Sequence, residues 1–474
     1  MPSRTDPRSN PEASKVEPIS PARREAFAIL LTVARSEAHA DDLLRGKRVT
    51  ALSAQDRHLC TTLVLGVLRW QIALDMRIRP LLAKPGARLD EEVAIALRLG
   101  AFQLWFLDRI PAHAAISESV ALTKKAGHRF AAGMVNAVLR KAAGLGKDES
   151  FEAGTAFPRW MVERWTQFYG EAATAKICRQ AQMAPELTLR VHDANAEAAL
   201  VSEGIETVHG VLIKAARRVV AGDVTKAEVF RTGRVRIQEE GSQLIAELSR
   251  SHGFSPLHIL DCCAAPGGKT LVLAEVNPEA RVTACEISAP RFEALRSRMD
   301  EAASLPEELG RRVDVVQGDV TQLRLKDAYD FVLVDVPCSG TGTLGRNPEI
   351  RHRLAVEDLA RHHERQCAIL RVALAAASAG RARVIYSTCS LEPEENENVV
   401  AQVLVETSGW RQISIDEVLK ELHAEGRITE EGLALLKKCV SEEGSLLILP
   451  GALGEAHSTD GFFMAMLERA PQHS

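Results

Sequence analysis

Three short runs in this chain carry side chains able to do covalent chemistry. Ile385-Tyr386-Ser387-Thr388-Cys389-Ser390 sets a thiol where a β-branched and aromatic strand (Val384 to Tyr386) breaks into small hydroxyl residues. Asp335-Val336-Pro337-Cys338-Ser339-Gly340 sets a second thiol just after an acid that ends the apolar run Phe331–Val334. Asp261-Cys262-Cys263-Ala264-Ala265-Pro266-Gly267-Gly268-Lys269 follows the strand Ile259–Asp261 with small residues and one cation. A thiol is partly ionised near neutral pH, and a polar turn lowers its pKa further, so either cysteine is chemically fit to attack an electron-poor carbon. Taken alone, a cysteine at a strand end is more readily a small buried hydrophobe. Its place at the carboxyl end of a strand, where open α/β sheets bind ligands, is what raises the second possibility.

The surrounding elements decide what these runs can do. From His258 the pattern is strand, turn, helix, repeated: Ile259–Asp261, Val282–Glu286, Val313–Val316, Phe331–Val334 and Val384–Tyr386, with helices through Leu273, over Pro290–Met299 and over Glu357–Ala377. That alternation predicts a parallel, doubly wound sheet, a Rossmann-like α/β domain. Small residues after the first strand let a ligand lie against backbone amides at a helix start. The loop lacks Gly-x-Gly-x-x-Gly. It also misses the phosphate-loop pattern, because Cys263 stands where the opening glycine belongs, and this excludes nucleotide-triphosphate hydrolysis. Glu286 ends the second strand, placed to accept hydrogen bonds from ribose hydroxyls. Asp319 ends the third and could hold an adenine amino group or simply cap its loop. An acidic rim without phosphate-binding features suits a cationic nucleoside such as S-adenosylmethionine.

Ahead of this half lie two other textures. Residues 1–20 hold four prolines among Ser, Glu and Arg and read as a disordered tail. Residues 21–145 read as an all-α bundle. Ser20 before Pro21 predicts a capped start, Ser53-Ala54-Gln55-Asp56 a second, and Asp90 a third, with further helices over Ala114–Ala126 and Phe130–Lys141. Residues 142–150 read as a linker. From 150 to 240 a small α/β segment is expected, with helices over Trp160–Tyr169 and Ala172–Ala181 and strands at Leu187–Val191, Val211–Ile213 and Val235–Ile237. Residues 241–470 form the doubly wound domain.

Among its 474 residues, 46% are apolar and 26% charged, the composition of a globular protein with two or three cores. The net charge of −4 is uneven: residues 21–145 carry 19 Lys and Arg against 11 Asp and Glu, while the segment from Gly241 onward is strongly acidic. Phosphate binding is therefore expected to begin at the front. Nine scattered cysteines without any Cys-x-x-Cys pair favour reduced thiols in the cytoplasm over disulfides or a zinc site. No unbroken apolar run nears the length of a membrane span, and none of these features calls for a metal or a membrane.

In that order, Asp261–Lys269, Asp335–Gly342 and Ser387–Asn396 resemble the motifs of the Nop/Sun family of RNA cytosine-5 methyltransferases. Leu65-Gly66-Val67-Leu68-Arg69, Arg109-Ile110-Pro111-Ala112-His113 and Val135–Arg140 are similar to the NusB-like helical domain of its bacterial Sun branch. The resemblance covers nearly everything from about Pro21 onward. It departs at Glu286, where an aspartate is more usual, and in the polar stretch Arg411–Glu443, which looks like an insertion. The resemblance implies methyl transfer from S-adenosylmethionine to carbon 5 of a cytosine in 16S ribosomal RNA. It assigns attack on carbon 6 to Cys389 and release to Cys338, with Asp335 facing both cofactor and base. Cofactor contacts fall on Cys263, Ala264, Ala265, Pro266, Gly267, Gly268, Lys269, Glu286, Asp319 and Asp335. Two other readings keep the fold: a transfer-RNA cytosine-5 methyltransferase, and an RNA-binding ribosome assembly factor with a silent methyltransferase fold. Cys338, Cys389 and Asp335 together argue against silence. Cys60, Cys178, Cys285, Cys367 and Cys439 have no such motif around them and read as buried or incidental.

Overall fold

Pro21 opens the first helix, Pro21–Arg35, where its missing N–H costs nothing. The cap expected of Ser20 is not made. Its N–H and hydroxyl instead donate to Glu118, at 2.8 and 2.7 Å, and tie the helix start to a later helix. Ser53 does cap its helix, accepting from the Asp56 N–H at 3.1 Å. The computed structural model describes residues 19–146, 152–251, 253–304, 308–323, 329–454 and 457–469; most of the expected tail lies outside them. The described chain divides into two compact units, one ending at Pro158 and the other beginning at Arg159.

The first unit is helical, with Ala54–Ile78, Glu91–Phe106, Ala112–Lys125 and Ala132–Gly144 following the first helix. Leu63, Leu97, Leu99, Val135 and Leu139 fill its core. A methyl group on Gly66 would lie 2.0 Å from the Phe102 ring, so glycine is what lets these two helices close. By length and composition the stretch Ala54–Leu81 could span a membrane, although polar residues spread through it break its apolar run. Leu63, Val64, Val67, Leu68 and Leu74 of this helix are buried in the bundle's core.

The second unit opens with Arg159–Gln180, which breaks at Gly170 (φ 79°) into the two expected helices. A small antiparallel sheet follows: β1 (Thr188–Val191), β2 (Glu206–His209), β3 (Ala216–Ala221) and β4 (Val235–Ile237), in the order β2-β3-β1-β4. Helix Ala194–Ser202 packs Ala196 and Leu200 on Leu189 and Val191. The strand expected at Val211–Ile213 is instead part of the connection between β2 and β3. Its N–H groups go to the Glu240 carboxylate rather than to a ladder, Val211 and Ile213 at 3.0 Å and Leu212 at 2.6 Å. An acid far along the chain thus decides the local conformation.

The large sheet contains β5 (His258–Asp261), β6 (Arg281–Glu286), β7 (Val313–Gln317), β8 (Phe331–Asp335), β9 (Arg383–Thr388), β10 (Trp410–Ile413), β11 (Leu446–Ile448) and β12 (Phe462–Arg469). Their order is β10-β12-β9-β8-β5-β6-β7, with β11 also paired to β12. Strands β5 to β9 are parallel, as expected. The sheet as a whole is mixed, because the apolar run Phe462–Leu467 enters beside β9 in the antiparallel sense. The polar stretch Arg411–Glu443 builds part of this domain: helices Ile415–Ala424 and Glu430–Lys437 bury Leu419, Leu422 and Leu436 against Leu212 and Ile213. The winding leaves β5 in one direction toward β6 and β7 and in the other toward β8 and β9. That reversal opens a crevice at the carboxyl ends of β5 and β8.

Candidate active site

The parallel pairing of β8 with β9 sets Asp335 opposite Ser387, so the loops leaving the two strands start side by side. The Ser387 hydroxyl donates to Asp335 Oδ1 at 2.9 Å, and the Lys269 ammonium stands 2.8 Å from Asp335 Oδ2. Beyond them the sulfurs of Cys338 and Cys389 lie 3.3 Å apart. Three residues from two motifs, Asp335, Cys338 and Cys389, are thus brought together with Lys269 from the third.

Backbone contacts fix the two cysteine loops to each other. The Gly342 N–H donates to the Cys389 carbonyl at 2.9 Å, and the Gly342 carbonyl accepts from Gly461 at 2.8 Å. A methyl group at Gly342 would lie 2.5 Å from the Gly461 oxygen and 2.8 Å from that of Cys389, so only glycine fits. Thr341 Oγ1 accepts from the Leu391 N–H at 2.9 Å, while Asn396 Nδ2 donates to the Ser390 carbonyl at 3.0 Å. Pro393 opens a single 3-10 turn, Pro393–Glu395, and the α-helix starts only at Glu397. Glu395 therefore does not serve a helix dipole as its position suggests. Its carboxylate is fully buried and accepts from the Ser339 N–H at 2.8 Å, His362 Nδ1 at 3.0 Å, Gln366 Nε2 at 3.0 Å and the Ser390 hydroxyl. On the other side Glu392, also fully buried, accepts from the Trp165 ring N–H and from Arg164 Nε, both at 3.0 Å.

The electrostatics act strongly on Cys338. Cys338 is driven well up by its hydrogen bond to Cys389, then by burial and by the charge of Glu395, so it keeps its proton. Burial acts to lower Lys269, but Asp335, Cys389 and Asp261 outweigh it and hold the ammonium charged. Asp261, at the end of β5, is pushed up to about 7 by burial, and the neighbouring Asp335 adds to the effect. One of its oxygens accepts from Thr270 at 2.7 Å; the other is buried without a hydrogen-bond partner.

A cleft of about 420 Å³ opens at the switch point, lined by Cys263, Ala265, Glu286, Asp319 and Asp335 from the expected set. Ala264, Pro266, Gly267 and Gly268 shape its turn without lining it. Gly267 sits at φ 93°, where a methyl group would lie 2.8 Å from Leu295 and Met299. Glu286 is buried, and one oxygen accepts from the Ser288 N–H at 2.8 Å. Asp319 does cap its loop, one oxygen accepting from the Thr321 N–H and hydroxyl at 2.9 and 2.7 Å, and it lines the cleft as well. Ile287, half exposed, and Arg365 line the cleft too and were not foreseen. Ile287 directly follows Glu286 and could have been inferred; Arg365 sits mid-helix with no motif around it. Three carboxylates, an exposed apolar side chain and this volume fit a cationic nucleoside. Cys60, Cys178, Cys285 and Cys367 are buried, and burial raises the first three to about 12, 11 and 12.

The domain described as "16S rRNA methyltransferase RsmB/F" matches residues 255–468, the NusB family matches 20–144, and the ferredoxin-like domain of RsmF/B-type methyltransferases matches 157–216. The probable ribosomal RNA small subunit methyltransferase B of Bacillus subtilis (strain 168) is 31% identical over 467 residues, covering 94% of this chain and 98% of its own length. The chain belongs to the ribosomal RNA small subunit methyltransferase B family. The relative from Pseudomonas putida (strain KT2440) is 32% identical over 401 residues, 80% of this chain and 88% of its own. A solved structure, "Crystal Structure of PH0851", shares the fold with a TM-score of 0.75 at 21% identity, over 95% of this chain and 99% of that one. The family's NusB-like helical front, small middle domain and Rossmann-like methyltransferase domain are the three parts seen here.

Proposed function

We propose that this protein transfers a methyl group from S-adenosylmethionine to carbon 5 of a cytosine in 16S ribosomal RNA, through a covalent adduct of Cys389 at carbon 6. The observation that carries the reading is the pair of sulfurs 3.3 Å apart, one of them holding its proton, beside an Asp335–Lys269 ion pair. Membership in an rRNA methyltransferase family supplies the reaction class and the substrate.

The cofactor supplies an electrophilic methyl group. Glu286 would accept from the ribose hydroxyls, Asp319 from the adenine amino group, and the free oxygen of Asp261 from an ammonium. Carbon 5 of cytosine is a poor nucleophile. Bond formation between the Cys389 sulfur and carbon 6 pushes the ring electrons toward carbon 5, turning it into an enamine-like nucleophile. Asp335, held by Ser387 and Lys269, holds the pyrimidine edge. After methylation, solvent water takes the proton from carbon 5, the electrons of that C–H bond restore the ring double bond, and the carbon 6–sulfur bond breaks to release Cys389 as a thiolate. Cys338 stands beside the leaving sulfur and, in this assignment, assists its release. The base must leave its stack to reach the pair. The basic helical domain, 21–145, and the middle segment are assigned the grip on RNA.

Replacing Cys338 with alanine tests the assignment in the presence of ribosomal RNA and cofactor. The expected result is a persistent protein–RNA adduct whose cross-linked peptide contains Cys389. A wild-type adduct through Cys338, or none in either protein, overturns it. Deleting residues 1–145 should weaken RNA binding and relax site choice; unchanged affinity and choice would refute the role given to the helical domain.

A further inference from the structure

We propose that Glu395 is a positioning residue of this active site, a buried carboxylate that holds both cysteine loops at their working separation. The inference rests on the two-thiol reading above.

The geometry is specific. Ser339 is the residue after Cys338, and Ser390 is the residue after Cys389. Glu395 Oε1 takes the backbone N–H of Ser339 at 2.8 Å, and Oε2 takes the hydroxyl of Ser390. One carboxylate therefore spans the two loops, each anchored one residue from its sulfur. Two further donors come from the helix Asp358–Ala376: His362 Nδ1 and Gln366 Nε2, each 3.0 Å from Oε1. Gln366 Nε2 also reaches the Pro337 carbonyl at 3.1 Å, adding a second tie to the Cys338 loop. The backbone of Glu395 is fixed as well, since its carbonyl accepts from the Tyr386 hydroxyl at 2.5 Å. A fully buried carboxylate with four donors is stabilised in its charged form, and removing its charge strands those donors.

Position and charge work together. Burial acts to raise Glu395, but the hydrogen bonds from His362, Ser339 and Ser390 outweigh it and hold the acid ionised. That fixed negative charge faces Cys338, Glu392 and Tyr386, and it discourages ionisation of each. A positive charge is supplied by Arg164, which pairs with Glu392 at 3.0 Å. Glu395 touches neither cleft nor sulfur. It acts through Ser339 and Ser390.

The experiment compares Glu395→Gln, Glu395→Asp and wild type, full length. Three quantities are read: methyl transfer to ribosomal RNA, S-adenosylmethionine affinity, and iodoacetamide labelling of Cys338 and Cys389 by peptide mass spectrometry between roughly pH 6 and pH 10. The glutamine variant should lose about 10–100-fold in kcat, the cost of misplacing a reacting group by about 1 Å, with KM for RNA and cofactor affinity little changed. Its Cys338 should label at lower pH than in the wild type, because the repelling charge is gone. The aspartate variant keeps the charge but not the reach, so its Cys338 profile should stay near wild type while kcat falls. Wild-type kcat in the glutamine variant, or an unshifted Cys338 profile, would overturn the proposal. So would a fall in kcat that comes with an equal loss of cofactor affinity and folding. If Glu395→Gln does not fold, His362→Ala removes one donor from the partly exposed side, and it should lower kcat with cofactor affinity kept; unchanged kcat refutes the proposal. Thiol labelling needs no RNA. A wild-type protein that methylates nothing would sink the reaction assigned above, while the labelling profiles still decide the role of Glu395.

Discussion

Asp261→Asn should make this protein more stable than its wild type from neutral pH upward, with an advantage that shrinks as pH falls from 7 toward 4. Asp261 is 1% exposed, and its pKa is pushed up to about 7 from 3.8, first by burial and further by Asp335. Lys269 and the hydroxyl of Thr270 act in the opposite sense without cancelling it. A carboxyl with a raised folded-state pKa contributes stability that is fully present below its unfolded pKa and is lost as pH rises through the folded one. The window here is about pH 4 to pH 7. A shift of about three units corresponds to an upper value of about 4 kcal/mol, at roughly 1.4 kcal/mol per unit. Moving from pH 5 to pH 8 crosses about two of those units, which is about 3 kcal/mol. Asparagine keeps the acceptor for Thr270, places an amide where the unpartnered oxygen sits and cannot ionise. Urea unfolding of both proteins at the two pH values reads the difference directly, because Glu239, another buried acid raised to about 7, is common to both and drops out. A stability gap that is the same at pH 5 and pH 8 would refute the reasoning.

Gly342→Ala forces a methyl group against two backbone oxygens at 2.5 and 2.8 Å, so the Cys389 loop must move; a loss of about 1–3 kcal/mol in unfolding and a much larger loss of adduct formation are expected. Trp165→Phe removes a donor from the buried carboxylate of Glu392, whose pKa burial already raises, and should cost about 1–3 kcal/mol in denaturant unfolding. Gly66→Ala puts a methyl group 2.0 Å from Phe102 in the helical unit and should destabilise that unit by about 1–3 kcal/mol, seen by circular dichroism, with S-adenosylmethionine binding unchanged.

The methyltransferase half was legible because its chemistry sits where strands end. A strand-turn-helix rhythm fixes which residues leave the carboxyl edge, and adjacency of the fourth and fifth parallel strands is enough to bring Asp335, Cys338 and Cys389 to one place. The helical front was legible from its apolar spacing, although the cap at Ser20 was not, because Glu118 outbids the helix for its hydroxyl. What failed had distant causes. Val211–Ile213 has the β-branched content of a strand, but a carboxylate at Glu240 collects its amides first. The antiparallel β12 follows the turn dipeptide Asp460-Gly461, but nothing local sets its direction; its pairing beside β9 does.

The acidic run after Cys389 is hidden from a local reading for the same reason, and with more consequence. Read locally, Glu392, Glu394 and Glu395 all suit the start of a helix, and nothing in their spacing separates one from another. Folding gives each a different task. Glu392 turns to Trp165 and Arg164 on the helix Arg159–Gln180, Glu394 pairs with Arg164 near the surface, and Glu395 turns inward between the cysteine loops. The Cys389 turn is thus held from one side by the first helix of its own unit and from the other by Glu395. Two thiols at 3.3 Å cannot both ionise readily, and some group must decide which one keeps the proton. Glu395 is tied to the residue after each cysteine, and its charge disfavours ionisation at Cys338. In the proposed reaction Cys389 is the sulfur that attacks, and the charge of Glu395 works against ionisation of its neighbour.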